Sequence, residues 1–322
     1  MKVKARAPSN IAFIKYWGKK NEKLRIPANT SISMNLSEAY TETFVEFDNK
    51  LSKDLIVIDG KSVEGNEKER IVDHLNLIRK MAGIDTFAEV VSKNNFPKGA
   101  GMASSASGFA ALTVAGTKAA GLNLSEKELS VLARLGSGSA CRSIPDGFVE
   151  WKTGVKSGDS YAYSLQAPGY WDICDTIVVV GEKAKKVSST EGHTKAFSSP
   201  FYKARILGMN KKVKEIKSAL KNKDFTKFGR ILEEEAINMH TVMMTSKPPL
   251  FYWLPKTLEI MQSVITWREE DLETYFTIDA GPNVHIICLS KDVKKVRIKL
   301  KKIPGVKKVI VNKASEGTHI LK

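Results

Sequence analysis

Between Pro97 and Gly108 the chain reads PKGAGMASSASG, a run of small residues carrying three serine hydroxyls at Ser104, Ser105 and Ser107. Small side chains let backbone N–H groups approach an anion closely. A helix that starts in such a run adds its unpaired amino-terminal donors and the positive end of its dipole. The chemistry this pattern serves is phosphate binding, and an ordinary helix start beside a tight turn has the same composition. It is not a Walker A loop, because no Gly-Lys-Ser/Thr follows, and the GxGxxG spacing of dinucleotide folds fails. From Gly99 to Gly108 there is no lysine, so backbone donors, a cation such as Mg²⁺ and lysines from elsewhere would have to balance a polyphosphate.

Three charged residues stand where charge could do chemistry. Asp279 ends the strand-like YFTID just before AGPN; there it either accepts or orients a hydroxyl proton in a cleft or caps an Asx turn before Gly281 and Pro282. Lys15 lies in IKYWGK beside two aromatics, as a partly desolvated functional lysine or as a surface lysine flanking apolar anchors. Arg142, in SGSACRS, has the planar fork that grips a carboxylate bidentately; a salt bridge to Asp146 or Glu150 is the alternative.

Composition narrows the classes. With 322 residues, 42% of them hydrophobic and only 11 prolines, the chain is long enough for two folded domains. MKVKARAPSN has no apolar signal stretch and no run of eighteen apolar residues occurs, so the expectation is a cytoplasmic protein without a membrane partner. Cys141, Cys174 and Cys288 are too scattered for a disulfide framework or a CxxC zinc site, and the five histidines form no HExxH. No direct protein ligand for a metal is assigned. The formal charge of +16 comes from lysine clusters after 203 and after 291. These clusters lack interleaved aromatics and zinc-finger spacing, so a nucleic-acid partner is not expected, and an RNA-binding reading rests on net charge alone. A positive field also favours capture of a small polyanion.

The elements that must position these residues alternate between strand and helix. VKARAPSNIAF, TETFVEF and LIVI read as strands, with Asp59-Gly60 as a hairpin turn. KERIVDHLNLIRKMAG places Ile71, His74, Leu75 and Ile78 on one helical face and stops at Gly83. Strand FAEVVSKNNF, the glycine-serine run and an alanine-rich helix to about Gly121 follow. SEKELSVLARLG begins with a Ser125/Glu128 capping box, and strands GFVEWKTG and DTIVVVG close the first half. A Ser/Thr/Gly-rich loop at 183–200 opens the second half. Helices at 201–220, 223–246 and 255–269, a strand-turn-strand through YFTIDAGPNVHIICL and a final strand KKVIVNK complete it. The fold class is α+β, with domains 1–180 and 181–322.

PKGAGMASSASG resembles the ATP phosphate loop of the GHMP kinases, the superfamily of galactokinase, homoserine kinase and mevalonate kinase. Together, APSNIAFIKYWGK, this loop, SGSACRSIPDGFVEW and IDAGPNVHIICL are similar to the diphosphomevalonate decarboxylases over essentially the whole chain. The resemblance implies a two-domain GHMP kinase fold, with a ribosomal-protein-S5-domain-2-like amino-terminal domain and a ferredoxin-like carboxy-terminal domain. It also implies ATP and Mg²⁺ as cofactors, a phosphorylated mevalonate as substrate and a homodimer. The implied reaction is phosphorylation of the C3 hydroxyl of 5-diphosphomevalonate followed by loss of phosphate and CO₂. Alternatives are the same chemistry on 5-phosphomevalonate, or phosphorylation without decarboxylation.

Carried residue by residue, the resemblance makes Asp279, Lys15 and Arg142 catalytic, with Arg142 on the C1 carboxylate. Tyr16, Trp17, Lys19, Arg70, Ser137, Ser139, His193 and one of Ser198 and Ser199 would bind substrate, with Lys19 and Arg70 informative for the C5 phosphates. Pro97, Gly99, Gly101, Met102, Ala103, Ser104, Ser105, Ala106 and Ser107 would bind ATP. Two departures stand out. His193 occupies a place where eukaryotic members often carry methionine, and it reads as a local structural change. Pro145 stiffens the turn behind Arg142. His240 and Cys141 read as packed core residues.

Overall fold

The computed structural model describes residues 1–96, 104–181, 187–306 and 308–321. The first half runs β1 (Val3–Ile14), β2 (Lys19–Asn21), β3 (Ile26–Pro27), β4 (Ser31–Asp48), β5 (Leu55–Ile58), β6 (Lys61–Ser62), α1 (Gly65–Ala82), β7 (Phe87–Asn94), α2 (Ser104–Ala119), α3 (Glu126–Gly136), β8 (Phe148–Trp151), β9 (Ala162–Gln166) and β10 (Ile173–Val179). The second half runs α4 (Ser189–Lys195), α5 (Tyr202–Asn222), α6 (Phe225–Met244), α7 (Pro255–Glu269), β11 (Tyr275–Thr277), β12 (Val284–Leu289), α8 (Val293–Lys301), β13 (Lys308–Lys313) and β14 (His319–Leu321). Strands and helices mix in both halves, as an α+β chain should.

An eight-stranded sheet has the order β14-β1-β4-β7-β5-β6, with β8 on β4 and β9 on β8. Pairing is antiparallel except for β5 on β7. The 18-residue β4 starts at Ser31, ten residues before the TETFVEF strand read from the sequence. Residues 31–36 are buried throughout, so the alternation that marks a half-exposed strand is missing there. The four-stranded sheet β11-β12-β10-β13 is wholly antiparallel. The expected division at 180 therefore falls after β10, which pairs with β12 and β13 and belongs to the second sheet. An apolar run buried on both faces does not say which sheet it will join. Conversely, β14 returns to the first sheet beside β1.

Local signals were obeyed where they were strongest. Asp59 and Gly60 turn with positive φ between β5 and β6, Gly83 ends α1 in the left-handed region, and Ser125 and Glu128 form the capping box of α3. Ile71, Leu75 and Ile78 of α1 are buried, each worth about 1.5–3 kcal/mol relative to exposure. His74 beside them bonds Thr113 Oγ1 at 2.8 Å. One hydrophobic cluster contains Ile11 and Phe13 of β1, Phe228 and Leu232 of α6, and Tyr275 and Ile287 of the second sheet. The two sheets thus share a core, and the carboxyl ends of β1 and β11 meet above it.

Candidate active site

Lys15 follows β1 and Asp279 follows β11, and the shared core brings them together: Lys15 Nζ lies 2.6 Å from Asp279 Oδ1. Thr277 Oγ1 donates to the Ala12 carbonyl at 3.4 Å, a further tie between the two strands. The Lys15 side chain is 1% exposed and the Asp279 side chain 22%, facing the cavity. The carboxylate goes to Lys15, so the Asx-turn alternative does not hold. Burial would raise the Asp279 pKa, but the Lys15 ammonium and its hydrogen bond outweigh burial and hold it below the ordinary carboxylate value. Lys15 is itself pulled below the usual lysine value by burial, against the pull of Asp279 and Glu235.

Both backbone groups of Lys15 are gripped from α5 and α6. Its N–H donates to Glu235 Oε1 at 3.2 Å, and its carbonyl accepts from Arg205 Nη2 at 3.3 Å and from Asn29 Nδ2 at 3.0 Å. Arg205 and Glu235 are a fully buried ion pair at 2.5 Å. On the far side His240 Nε2 lies 3.2 Å from the Asp279 carbonyl. Burial, and then Lys15, push His240 down to about 3, so it is a neutral ring that donates there, stacked 4.6 Å from Trp253.

Arg142 sits in the short 3-10 helix Gly138–Ser143. Its Nε donates to Asn10 Oδ1 and its Nη1 to Ser31 Oγ, both at 3.0 Å. Neither proposed salt bridge forms: Asp146 accepts from the Gly317 N–H, and Glu150 pairs with Lys217. Nη2 is left with no hydrogen-bond partner among the described residues, on a side chain that lines the cavity. Asn10 reaches Arg142 from β1, next to an irregularity in the β1–β4 register between Pro8 and Asn10. Gly138 permits the approach of Tyr16, since a Cβ there would meet the Tyr16 hydroxyl at 2.8 Å.

The cavity is lined by Lys15, Tyr16, Trp17, Lys19, Ser137, Ser139, Arg142, His193 and Asp279, all sequence-derived candidates. Arg25, Ser189 and Thr190 also line it. The sequence reading missed Ser189 and Thr190 because it took 183–200 as loop. The structure places α4 there, with Ser188 accepting from the Glu191 N–H at 3.2 Å, so the SSTE spelling was the available signal. For Arg25, and for the Arg205 and Glu235 that clasp Lys15, no local pattern points to the cavity. Ser198 and Ser199 do not line it: Ser198 bonds the Lys195 carbonyl and the Lys247 N–H, and Ser199 bonds Thr245.

Ser104 and Ser105, in the first turn of α2, line this cavity and a second, more apolar cleft with Arg70, Phe109, Leu112 and Asn94. Arg70 lines that second cleft, its guanidinium 5.1 Å from the Phe109 ring and bonded to the Gly136 carbonyl. Ser105 Oγ is 3.3 Å from Ser137 Oγ. Ala106 packs in the core, and the Ser107 hydroxyl turns to Thr41 at 2.6 Å. Pro97, Gly99, Gly101, Met102 and Ala103 lie outside the described residues. Among the described residues no group of three or more His, Cys, Asp or Glu is placed to hold a metal ion.

Residues 7–162 match the family model described as the diphosphomevalonate decarboxylase-like N-terminal domain, and residues 176–320 match the mevalonate 5-diphosphate decarboxylase C-terminal domain. The crystal structure of mevalonate diphosphate decarboxylase from Staphylococcus aureus superposes with a TM-score of 0.95 at 40% identity, covering 100% of this chain and 98% of that one. The chain belongs to the diphosphomevalonate decarboxylase family. Its fold is accordingly the two-domain α+β fold of the GHMP kinase type. The structure of the decarboxylase MDDEF in complex with MVAPP, AMPPCP and magnesium matches with a TM-score of 0.95 at 38% identity, over 100% and 99% of the two chains. The phosphomevalonate decarboxylase of Haloferax volcanii is 32% identical over 298 residues, 92% of this chain and 91% of its own length.

Proposed function

We propose that this decarboxylase-family chain converts 5-diphosphomevalonate and ATP to isopentenyl diphosphate, ADP, phosphate and CO₂. The observation that carries the reading is the Lys15–Asp279 pair at 2.6 Å, set in one cavity with Arg142 and the start of α2. A carboxylate with a depressed pKa is a weak base, so Asp279 orients the C3 hydroxyl and takes its proton late, when formation of the O–P bond has acidified that oxygen. Lys15 keeps the carboxylate ionised until then. Arg142, anchored by Asn10 and Ser31, directs Nη2 to the C1 carboxylate. Once C3 carries phosphate, the C3–O bond breaks with phosphate as leaving group. The electron pair of the C1–C2 bond then forms the new double bond as CO₂ departs.

Ser104 and Ser105, which line both clefts, would hold the nucleotide's phosphates, and the apolar cleft with Phe109 and Leu112 would take its base. α2 has no acidic residue in its first turn, so its positive end is left for the anion. The donor set fits Mg²⁺: hydroxyls of Ser104 and Ser105 beside nucleotide phosphates suit an ion that retains waters and substrate oxygens. When bound, Mg²⁺ neutralises charge on the phosphates. A cytoplasmic homodimer goes with this reading. No helix among the described residues is long and apolar enough to cross a membrane, and exposed Phe197, Phe201 and Phe251 are surface that a second copy would cover.

The test is ATP-dependent CO₂ release from carboxyl-labelled 5-diphosphomevalonate and 5-phosphomevalonate in parallel. A higher kcat/KM for the diphosphate is expected. Preference for the monophosphate would move the reading to the reaction named for the Haloferax relative, and ADP without CO₂ would leave a kinase.

A further inference from the structure

His193 is buried inside the substrate cavity, yet the reaction above gives it no part. Its surroundings define both its tautomer and its direction. The Gly18 N–H donates to His193 Nδ1 at 2.9 Å, so Nδ1 is an acceptor and the ring proton sits on Nε2. The ring is held between Tyr16, with centroids 4.1 Å apart, and Trp17, at 4.5 Å, tilted by about 35° from each. Gly192 lets α4 press against Trp17, because a Cβ there would come within 2.6 Å of the indole. These contacts leave the imidazole little freedom to turn. Nε2 has no protein partner among the described residues.

The neighbourhood of that free N–H is cationic. Lys19 and Arg25 line the same cavity wall. Burial first, then Lys19, Arg142 and Arg25, hold His193 well below the ordinary histidine value, so the ring is neutral. Lys19 is already paired with Glu22 at 2.5 Å, and Arg25 spends its Nε on the Leu135 carbonyl at 2.9 Å. Another cation here would be repelled by those present and would cost burial of a further charge. A locked neutral imidazole supplies a hydrogen bond to an anion without that cost.

We propose that His193 is a substrate-binding residue whose Nε2–H donates to a phosphate oxygen at the C5 end of the substrate, beside Lys19 and Arg25. The proposal rests on the functional reading above for the identity of that phosphate. It makes His193 a residue of recognition, felt in KM more than in kcat, and gives the substrate-binding place that the resemblance implied a specific donor atom.

Asparagine and glutamine separate the two ring nitrogens. His193→Asn keeps an acceptor near the Nδ1 position for the Gly18 N–H but loses the far donor. His193→Gln places an amide N–H near the Nε2 position and loses the acceptor for Gly18. Binding of inorganic pyrophosphate to the full chain, with ADP present to occupy the nucleotide side, and KM for 5-diphosphomevalonate are the readouts. For H193N we expect about tenfold weaker pyrophosphate binding and a KM raised by a similar factor, the size of one hydrogen bond to a charged group. For H193Q both should stay within about threefold of wild type on the same grounds. The reverse order would make His193 a prop for Gly18 and overturn the proposal. Equal losses in both variants, or none in either, would overturn it as well, by assigning the effect to ring stacking or to nothing at all. Wild-type protein that binds pyrophosphate in this pattern but releases no CO₂ would sink the decarboxylase reading and leave the anion donor in place.

Discussion

At the Lys15 end of the cavity, four ionisable side chains are packed against one another: Lys15 on Asp279, and Arg205 on Glu235 around the Lys15 backbone. At the α2 end the cavity wall is Ser104 and Ser105, with no acidic residue in the first helical turn. Under the proposed function, the difference follows from what each end would hold. A proton transfer needs a carboxylate whose charge and direction are settled before substrate arrives, and that takes a buried counter-ion and a fixed backbone. A polyphosphate brings its own charge and cation, so neutral donors and a helix dipole suffice.

The comparison breaks hardest at Asp279. Replacing it with Asn should lower the rate of ADP formation by about 10²- to 10⁴-fold, the span of a general-base contribution. ATP affinity, measured by equilibrium titration, should stay nearly unchanged, because the α2 end does not depend on that carboxylate.

Lys15→Met should cost about a hundredfold in kcat/KM and move its acid limb to higher pH. Without the ammonium, burial, the largest influence on Asp279, is opposed only by the smaller pull of His285 and Arg142, and burial raises its pKa. In the wild type, the stability supplied by this carboxylate is present above the ordinary carboxylate pKa. It is lost as pH falls through the depressed folded value. A pH–rate profile and denaturant titrations at several pH values check both signs.

Glu235→Gln sharpens the distinction between charge and position. It keeps an acceptor for the Lys15 N–H but strands Arg205 as a buried unpaired cation, at about 3–5 kcal/mol of stability by denaturant unfolding. The accompanying loss in kcat should be smaller, about tenfold, since Lys15 keeps its partner. Ser105→Ala should have the least effect, a three- to tenfold rise in KM for ATP or less, as befits one neutral hydrogen bond among several backbone donors.

Much of the fold was legible from near neighbours in sequence. The Ser125/Glu128 box, the Asp59-Gly60 turn and the α1 face from Ile71 to Ile78 each lie within a few residues, where backbone geometry is decided. The same spelling at Ser188 and Glu191 was passed over inside a Ser/Thr-rich stretch, and Ser189 and Thr190 went with it. Two placements that the sequence does not disclose have a different origin. β10 and the first part of β4 are buried on both faces, so they show no alternation and do not disclose their sheet. Arg70 lines the second cleft from α1, a matter of tertiary contacts with no local signature.

What the sequence by itself determined was chemistry in short words: IKYWGK, SGSACRS and IDAGPN name a lysine, an arginine and an aspartate in unusual company. Their resemblance to one family assigned a reaction. Only the tertiary structure decided that Lys15 meets Asp279 across 264 positions of chain, that Arg142 is anchored by Asn10 and Ser31, and that Arg205 and Glu235 clasp Lys15. It also showed the His193 ring held between Tyr16 and Trp17 with Nδ1 accepting from the Gly18 N–H. Each is a long-range juxtaposition made by the core that the two sheets share, and residue spacing along the chain carries no information about it.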